Sequence, residues 1–254
     1  MKKIALITGA TSGIGKAIAE TLAQNAYNLI LTGRRKELLD SMKEELGVKF
    51  KCDVLTLNFD IRNRERTEAI IDGVPEQWKK ISVLVNNAGL AAGLHPIHEG
   101  LVDDWEQMID TNVKGLLYIT RKVAPLMIAA GSGHIINISS IAAKEVYENG
   151  SVYCATKHAV DALTKGMRID LLKYNIKVTS IAPGMVDTEF STVRFKGDKT
   201  RADKVYEGLV PLSAADIAET IWFVLSRPAH VNINDLLIMP TAQANATVTH
   251  RENQ

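Results

Sequence analysis

The sequence predicts a doubly wound α/β fold, with a parallel sheet of seven strands and helices on both faces. Two observations carry this. Short β-branched runs alternate with helical patterns along the chain, and the runs are apolar at successive positions, as strands buried on both faces must be. The first run also breaks directly into a glycine-rich turn that opens a helix. Right-handed crossovers between such strands wind the sheet in both directions.

The elements follow in order. KIALIT (3–8) reads as a buried strand, and 13–25 as a helix with Ile14, Ile18 and Leu22 at helical spacing. NLILTG (28–33) is a second strand, 36–46 a charged helix, and DVLTLNF (53–59) a third strand before a polar helix over 62–72. ISVLVNN (81–87) is a fourth strand. A long helical pattern over 102–130 breaks near Asp110 to Lys114 or at Pro125. HIINIS (134–139), KVTSIA (177–182) and DLLIMP (235–240) complete the strands, with a helix over 151–174 between the first two. No repeat, low-complexity tract or linker divides the chain, so residues 1–254 are expected to form one domain. Two segments leave the pattern. Residues 185–212 are polar with a basic centre, RFKGDKTRADK. The tail, 241–254, is polar and expected to extend over the surface or a neighbouring subunit.

Composition excludes several classes. With 254 residues and 46% hydrophobic content, the chain can fill a core. A net charge of +1 gives no general case for a nucleic-acid or membrane surface. Two cysteines, Cys52 and Cys154, make neither a disulfide framework nor a zinc site. The apolar run after Lys2 and Lys3 is too short for a signal peptide, and no stretch approaches a bilayer span. The expectation is a cytoplasmic protein without disulfides or metal.

TGATSGIG (8–15) follows the first strand. Gly9, Gly13 and Gly15 allow a tight turn and close approach of a ligand, and the helix beyond offers free N–H groups. That suits a pyrophosphate. The glycine spacing, G-x-x-x-G-x-G, differs from the standard dinucleotide fingerprint. At the end of the second strand, where an acid would hold a ribose 2′-hydroxyl, stand Gly33, Arg34 and Arg35. Arginines pair with a 2′-phosphate, whereas an acid repels it, so NADP is expected over NAD. In YCATK, Tyr153 and Lys157 lie one helical turn apart. An ammonium there favours the phenolate of a tyrosine that otherwise titrates near ~10. Ser140 ends the fifth strand, at the edge where ligand crevices open; Ser139 should point the other way.

As a set, TGATSGIG, NNAG (86–89), Asn112 in DTNVKG, NISS (137–140), YCATK (153–157) and PGMVDTEF (183–190) resemble the short-chain dehydrogenases/reductases over nearly the whole chain. That resemblance implies a Rossmann-type domain and a hydride-transferring oxidoreductase. It implies Asn112, Ser140, Tyr153 and Lys157 as catalytic residues, with Ser140 and Tyr153 on the substrate oxygen. Lys157 would bond the nicotinamide ribose, and the Asn112 carbonyl would hold a water linking Lys157 to solvent. The cofactor is expected along Gly9, Thr11, Ser12, Gly13, Ile14, Gly15, Arg34 and Arg35. Asp60 and Ile61 fall on its adenine side, followed by Asn87, Ala88 and Gly89. Pro183, Gly184, Val186 and Thr188 fall beside the nicotinamide, with Tyr153 and Lys157.

EFSTVRFKGD, VPLSAADIAETIWFVLSRPAHVNIN and LLIMPTAQA further resemble the branch of NADP-dependent 3-hydroxy acid dehydrogenases, which includes serine and allo-threonine dehydrogenases and malonic semialdehyde reductases. This implies a small 3-hydroxy acid substrate and a homotetramer. It also makes 185–212 a substrate lid, whose Arg194 is expected to bind the substrate carboxylate. Two residues depart from the branch and are expected at the substrate mouth: Ala143, where glycine is usual, and Glu148, where proline is frequent. Two alternatives stay open: a broader carbonyl or 3-oxoacyl reductase, and an NADP-binding regulatory protein without turnover. His95 and His98 read as loop residues, Cys154 as a buried small residue, and Trp222 and Phe223 as core or interface.

Overall fold

A computed structural model describes residues 2–252. One sheet carries seven parallel strands in the order β3-β2-β1-β4-β5-β6-β7. They are β1 (Ile4–Ile7), β2 (Asn28–Gly33), β3 (Val54–Asn58), β4 (Ile81–Asn86), β5 (Gly133–Ile138), β6 (Ile176–Pro183) and β7 (Asp235–Ile238). The helices are α1 (Gly13–Gln24), α2 (Lys36–Phe50), α3 (Arg64–Asp72), α4 (Val102–Ile109), α5 (Leu116–Ala130), α6 (Ser151–Leu171), α7 (Glu189–Arg194), α8 (Lys199–Lys204) and α9 (Ala214–Leu225).

Side-chain alternation divides the core into two layers. From β1, Ala5 and Ile7 face one way and join Leu29, Leu31, Ile18 and Leu22, with Ile217 and Ile221 of α9. Ile4 and Leu6 face the other way and join Ile30, Leu84, Ile119, Val123 and Ile71. Apolar residues at successive strand positions thus serve both faces at once. The strand order turns at β1 and β4, whose register pairs Ile7 with Val85. Beyond their carboxyl ends the connections diverge to opposite faces, opening the crevice in which doubly wound sheets bind ligands.

Several boundaries differ from the sequence expectation. The charged second helix passes Gly47 and ends only where Lys51 turns left-handed at φ 51°. Burial of Leu39, Met42 and Leu46 outweighs the roughly 1 kcal/mol cost of a helical glycine. α3 starts at Arg64 because the Asn63 side chain caps it by accepting from the Arg66 N–H. Of the two expected breaks in the long helical pattern, the one at Asp110 to Lys114 is found, as a π-helical turn over Asp110–Gly115, while Pro125 lies inside α5 without ending it. The polar 185–212 segment folds into α7 and α8, and α9 was not foreseen. α9 carries a capping box in which the Ser213 hydroxyl accepts from the Asp216 N–H and the Asp216 carboxylate from the Ser213 N–H. The described part of the tail lies on its own chain: Gln243 pairs with Thr249, and the Glu252 N–H donates to the Gly208 carbonyl of the 185–212 segment. Residues 253–254 lie outside the described residues. Among the described residues no helix is long and apolar enough to cross a membrane, and no cluster of His, Cys, Asp and Glu could hold a metal.

Candidate active site

A cleft of about 370 Å³ runs along the carboxyl edge of the sheet and gathers residues from Gly9 to Val193. Its floor is the turn from β1 to α1. Gly9 and Gly13 adopt φ of 64° and 50°, conformations a side chain disfavours. Gly15 has no such strain but no room either: a Cβ there would collide with the Gly9 carbonyl oxygen and stand 2.5 Å from Asn87 Nδ2. The turn is tied to β4. The Asn87 amide donates to the Thr8 and Gly9 carbonyls at 2.9 and 3.1 Å, and Thr8 Oγ1 accepts from the Asn87 and Ala88 N–H groups, both at 3.0 Å. Ser12 precedes α1 without capping it through its side chain, so no hydroxyl satisfies the first-turn donors. A glycine cradle below uncapped helix donors fits a pyrophosphate. Thr11, Ser12 and Ile14 share this wall.

At the far end, Arg34 and Arg35 line the cleft and are exposed. The absence of an acid at Gly33 has a steric counterpart, since a Cβ there would stand 2.9 Å from Thr11 Cγ2. Arg35 Nε and Nη2 donate to Thr11 Oγ1 at 3.2 and 3.1 Å. Asp60 and Ile61 line the same end. Burial alone would raise the Asp60 carboxyl, but the Arg62 fork, with bonds of 2.6 to 3.1 Å, holds it below its ordinary value. These residues fit a 2′-phosphorylated adenosine.

Ala88, Gly89, Pro183, Gly184, Val186 and Thr188 complete the walls. Gly184 is pressed by Gln243 of the tail, whose Oε1 accepts from the Met185 N–H at 2.8 Å. A tail residue thus buttresses the strip that follows β6, a role nothing in the sequence signalled.

Tyr153 and Lys157 meet the cleft from one face of α6, both almost wholly buried. Lys157 Nζ donates to the Ile138 carbonyl at 3.0 Å and stands 5.8 Å from the centre of the Tyr153 ring. Desolvation lowers its pKa from 10.5 to about 8. The Tyr153 phenol is raised, first by burial and then by Tyr147, while Ser140 and Arg194 pull it down. The sequence expectation that Lys157 draws the phenol down is corrected here. Both groups are desolvated, the ammonium donates to the Ile138 carbonyl, and burial outweighs the cations beside the ring, Arg194 at 5.4 Å and Lys157 at 5.8 Å. Ser140 is half-buried on the cleft wall, its Oγ accepting from the Ala142 N–H at 3.1 Å. Ser139 is buried and its hydroxyl finds no partner.

Asn112 sits in the π-helical turn, and its side chain is fully used. Oδ1 accepts from the Leu90 N–H at 2.9 Å; Nδ2 donates to the Leu90 carbonyl at 2.8 Å and to Thr156 Oγ1 at 3.0 Å. It fastens the loop after β4 to α6. Gly89 lets this loop close, for a Cβ there would meet Asn112 Oδ1 at 3.2 Å and Lys157 Nζ at 3.6 Å.

The 185–212 segment supplies the last wall through Glu189, Phe190 and Val193, whereas Arg194 lines a second, much smaller pocket that shares Tyr153. Phe190 packs edge-on against Tyr153 with ring centres 5.7 Å apart. Arg194 lies 5.4 Å from the centre of the Tyr153 ring and 5.5 Å from that of Tyr147. Its Nε donates to the Gly93 carbonyl at 3.3 Å and its Nη2 to the Tyr147 hydroxyl at 2.7 Å. Lys196 anchors the same segment on the buried carboxylate of Asp104 at 3.0 Å. Tyr147, Phe190 and Gln243 were missed from the sequence. Ala143 and Glu148 were expected at the substrate mouth; Ala143 is buried and Glu148 exposed, and neither lines this cleft or the smaller pocket beside it.

Known proteins share this chain's sequence and fold. Residues 3–199 match the family model described as short chain dehydrogenase, and the chain belongs to that family. It is 49% identical over 250 residues to the NADP-dependent 3-hydroxy acid dehydrogenase YdfG of Salmonella typhi, covering 98% of this chain and 99% of that one. It is 44% identical to sulfoacetaldehyde reductase 2 of Chromohalobacter salexigens, covering 96% of each. Among solved structures it resembles the closed form of serine dehydrogenase complexed with NADP+, with a TM-score of 0.92 and 45% identity over 98% of this chain and 100% of that one.

Proposed function

We propose that this chain is an NADP-dependent oxidoreductase acting between a small 3-hydroxy acid and its 3-oxo acid. The observation that carries the substrate class is the pair of donors beside Tyr153. Arg194 is held by Gly93 and Tyr147 with its guanidinium over the Tyr153 ring. Because the Tyr147 hydroxyl accepts from Arg194, its own proton stays free to donate. A guanidinium and a phenol together match the two oxygens of a carboxylate.

Bound in the cleft, the nicotinamide cofactor supplies or accepts the hydride. The chain's own residues do the rest. Arg34 and Arg35 take the 2′-phosphate, and the first turn of α1 takes the pyrophosphate. The Ser140 hydroxyl holds the substrate oxygen beside Tyr153. In reduction, the Tyr153 phenol gives its proton to that oxygen; in oxidation it takes the proton back. A raised phenol is fully protonated at neutral pH, which favours the acid role, and oxidation is expected to speed up as pH rises. Positioned acid–base catalysis of this kind contributes roughly 10²–10⁴-fold. Lys157 faces the same wall through Gly89 and is assigned to the nicotinamide ribose. A homotetramer in the cytoplasm follows from the family resemblance, and exposed Leu117, Ile169 and Leu172 supply apolar surface for assembly.

The test is a split between KM and kcat. Arg194→Ala is expected to raise KM for 3-hydroxypropionate at least tenfold, order of magnitude, and to leave the KM of a neutral secondary alcohol unchanged. Equal effects on both substrates would remove the carboxylate assignment. Sulfoacetaldehyde belongs in the panel, because a sulfonate presents its oxygens to the same donors.

A further inference from the structure

We propose that Glu189 sets how tightly this chain holds a 2′-phosphate, by competing with it for Arg35. The Arg35 fork is engaged on both sides. Nε and Nη2 donate to Thr11 Oγ1 of the phosphate turn, at 3.2 and 3.1 Å. Nη1 donates across the mouth of the cleft to Glu189 Oε2, at 3.1 Å. Thr11, Arg35 and Glu189 all line the cleft. Thr11 is neutral and fixes the plane of the guanidinium without using its charge. Glu189 does use the charge, and it does so in the place where a phosphate dianion on the adenosine ribose needs it.

A carboxylate and a phosphate are rival acceptors for the same N–H and also repel each other. Binding of a 2′-phosphate therefore displaces Glu189 or holds it at close range to a like charge; either way the carboxylate weakens the phosphate. A ribose 2′-hydroxyl carries no charge and makes no such demand. Glu189 thus acts through Arg35 as a positioning residue that tempers the preference for the phosphorylated cofactor. The pair is partly open to solvent, with 44% and 59% of the two side chains exposed, so the exchange is cheap and the expected effect modest. Glu189 also opens α7, the helix that brings Phe190 against Tyr153 and Arg194 over it. Recognition of the phosphate and closure over the substrate end are thereby joined through one short element.

This inference rests on the assignment of Arg35 to a 2′-phosphate, and the experiment separates the two. Adenosine 2′,5′-bisphosphate and adenosine 5′-monophosphate serve as calorimetric probes of the full chain; neither reaches the substrate end nor requires turnover. Glu189→Gln is expected to bind the bisphosphate about two- to fivefold tighter and the monophosphate as before, with the gain fading in high salt. In an Arg35→Gln background the same change is expected to give no gain. Unchanged monophosphate binding shows that the variant is folded. An unaltered ratio between the probes, or weaker bisphosphate binding, in a wild type that prefers the bisphosphate would overturn the role of Glu189 alone. A wild type that binds both probes equally would overturn the 2′-phosphate assignment and this inference with it.

Discussion

Replacing Lys157 with methionine is expected to stabilise the chain near pH 7 while abolishing turnover. The side chain is almost wholly buried, and desolvation takes its pKa from 10.5 to about 8. At about 1.4 kcal/mol per pH unit, keeping that ammonium charged costs the folded chain roughly 3 kcal/mol. Methionine fills a similar volume without charge. It gives up the bond to the Ile138 carbonyl, worth about 1 kcal/mol. Relief of desolvation is the larger effect and leaves a net gain of about 2 kcal/mol. The sign with pH is specific. Between about 8 and 10.5 the unfolded chain holds the proton that the folded chain has released, so wild-type stability rises with pH across that window. Below 8 both states are protonated and the full cost is present. The variant lacks this rise, so its advantage shrinks across the window, and the order of the two stabilities reverses before pH reaches 10.5. Urea unfolding at a series of pH values reads the difference directly from the midpoints. A variant less stable than wild type near neutrality, or a difference that does not change with pH, would refute the claim that burial dominates this lysine.

Three further outcomes are expected. Gly15→Ala should cost about 1–3 kcal/mol, because its Cβ meets the Gly9 carbonyl and Asn87, and thermal melts should show a smaller stabilisation by NADPH than in wild type. Asn112→Ala leaves the buried Leu90 N–H and carbonyl without partners and should cost about 2–4 kcal/mol in denaturant midpoint. His134, buried and lowered to about 3, stays neutral in the fold; stability is complete above its unfolded pKa of 6.5 and is lost as pH falls from there toward 3. About 3 kcal/mol of the loss between pH 7 and pH 4 should be missing in His134→Gln.

The strands were legible because a sheet covered on both faces leaves a plain signature, as in Ile4 to Ile7, where neighbours enter opposite core layers. The phosphate turn and the Tyr153–Lys157 pair were legible because their geometry is local: one turn and one helical face. Contacts made by folding were not. Arg194 and Tyr147 lie 47 positions apart, and Arg35 and Glu189 lie 154 apart, so nothing in the spacing joins them. Gln243 reaches the site from a tail with no strand or helix pattern. α9 was overlooked despite its capping box, because its nearly continuous apolar run hides the helical period. The electrostatics of Tyr153 ran opposite to expectation for a physical reason: the sequence shows a lysine one turn away, but it does not show that both groups are desolvated.

The most direct measurement is initial rates with NADP and then NAD on 3-hydroxypropionate, serine, allo-threonine and a neutral secondary alcohol, with Tyr153→Phe as control. The structure predicts turnover of the acids with NADP, far slower turnover with NAD, and loss of at least about 10²-fold in the control. Turnover of the neutral alcohol alone, a preference for NAD, or an unimpaired Tyr153→Phe would contradict, in turn, the carboxylate site, the arginine pair and the acid–base role of the tyrosine.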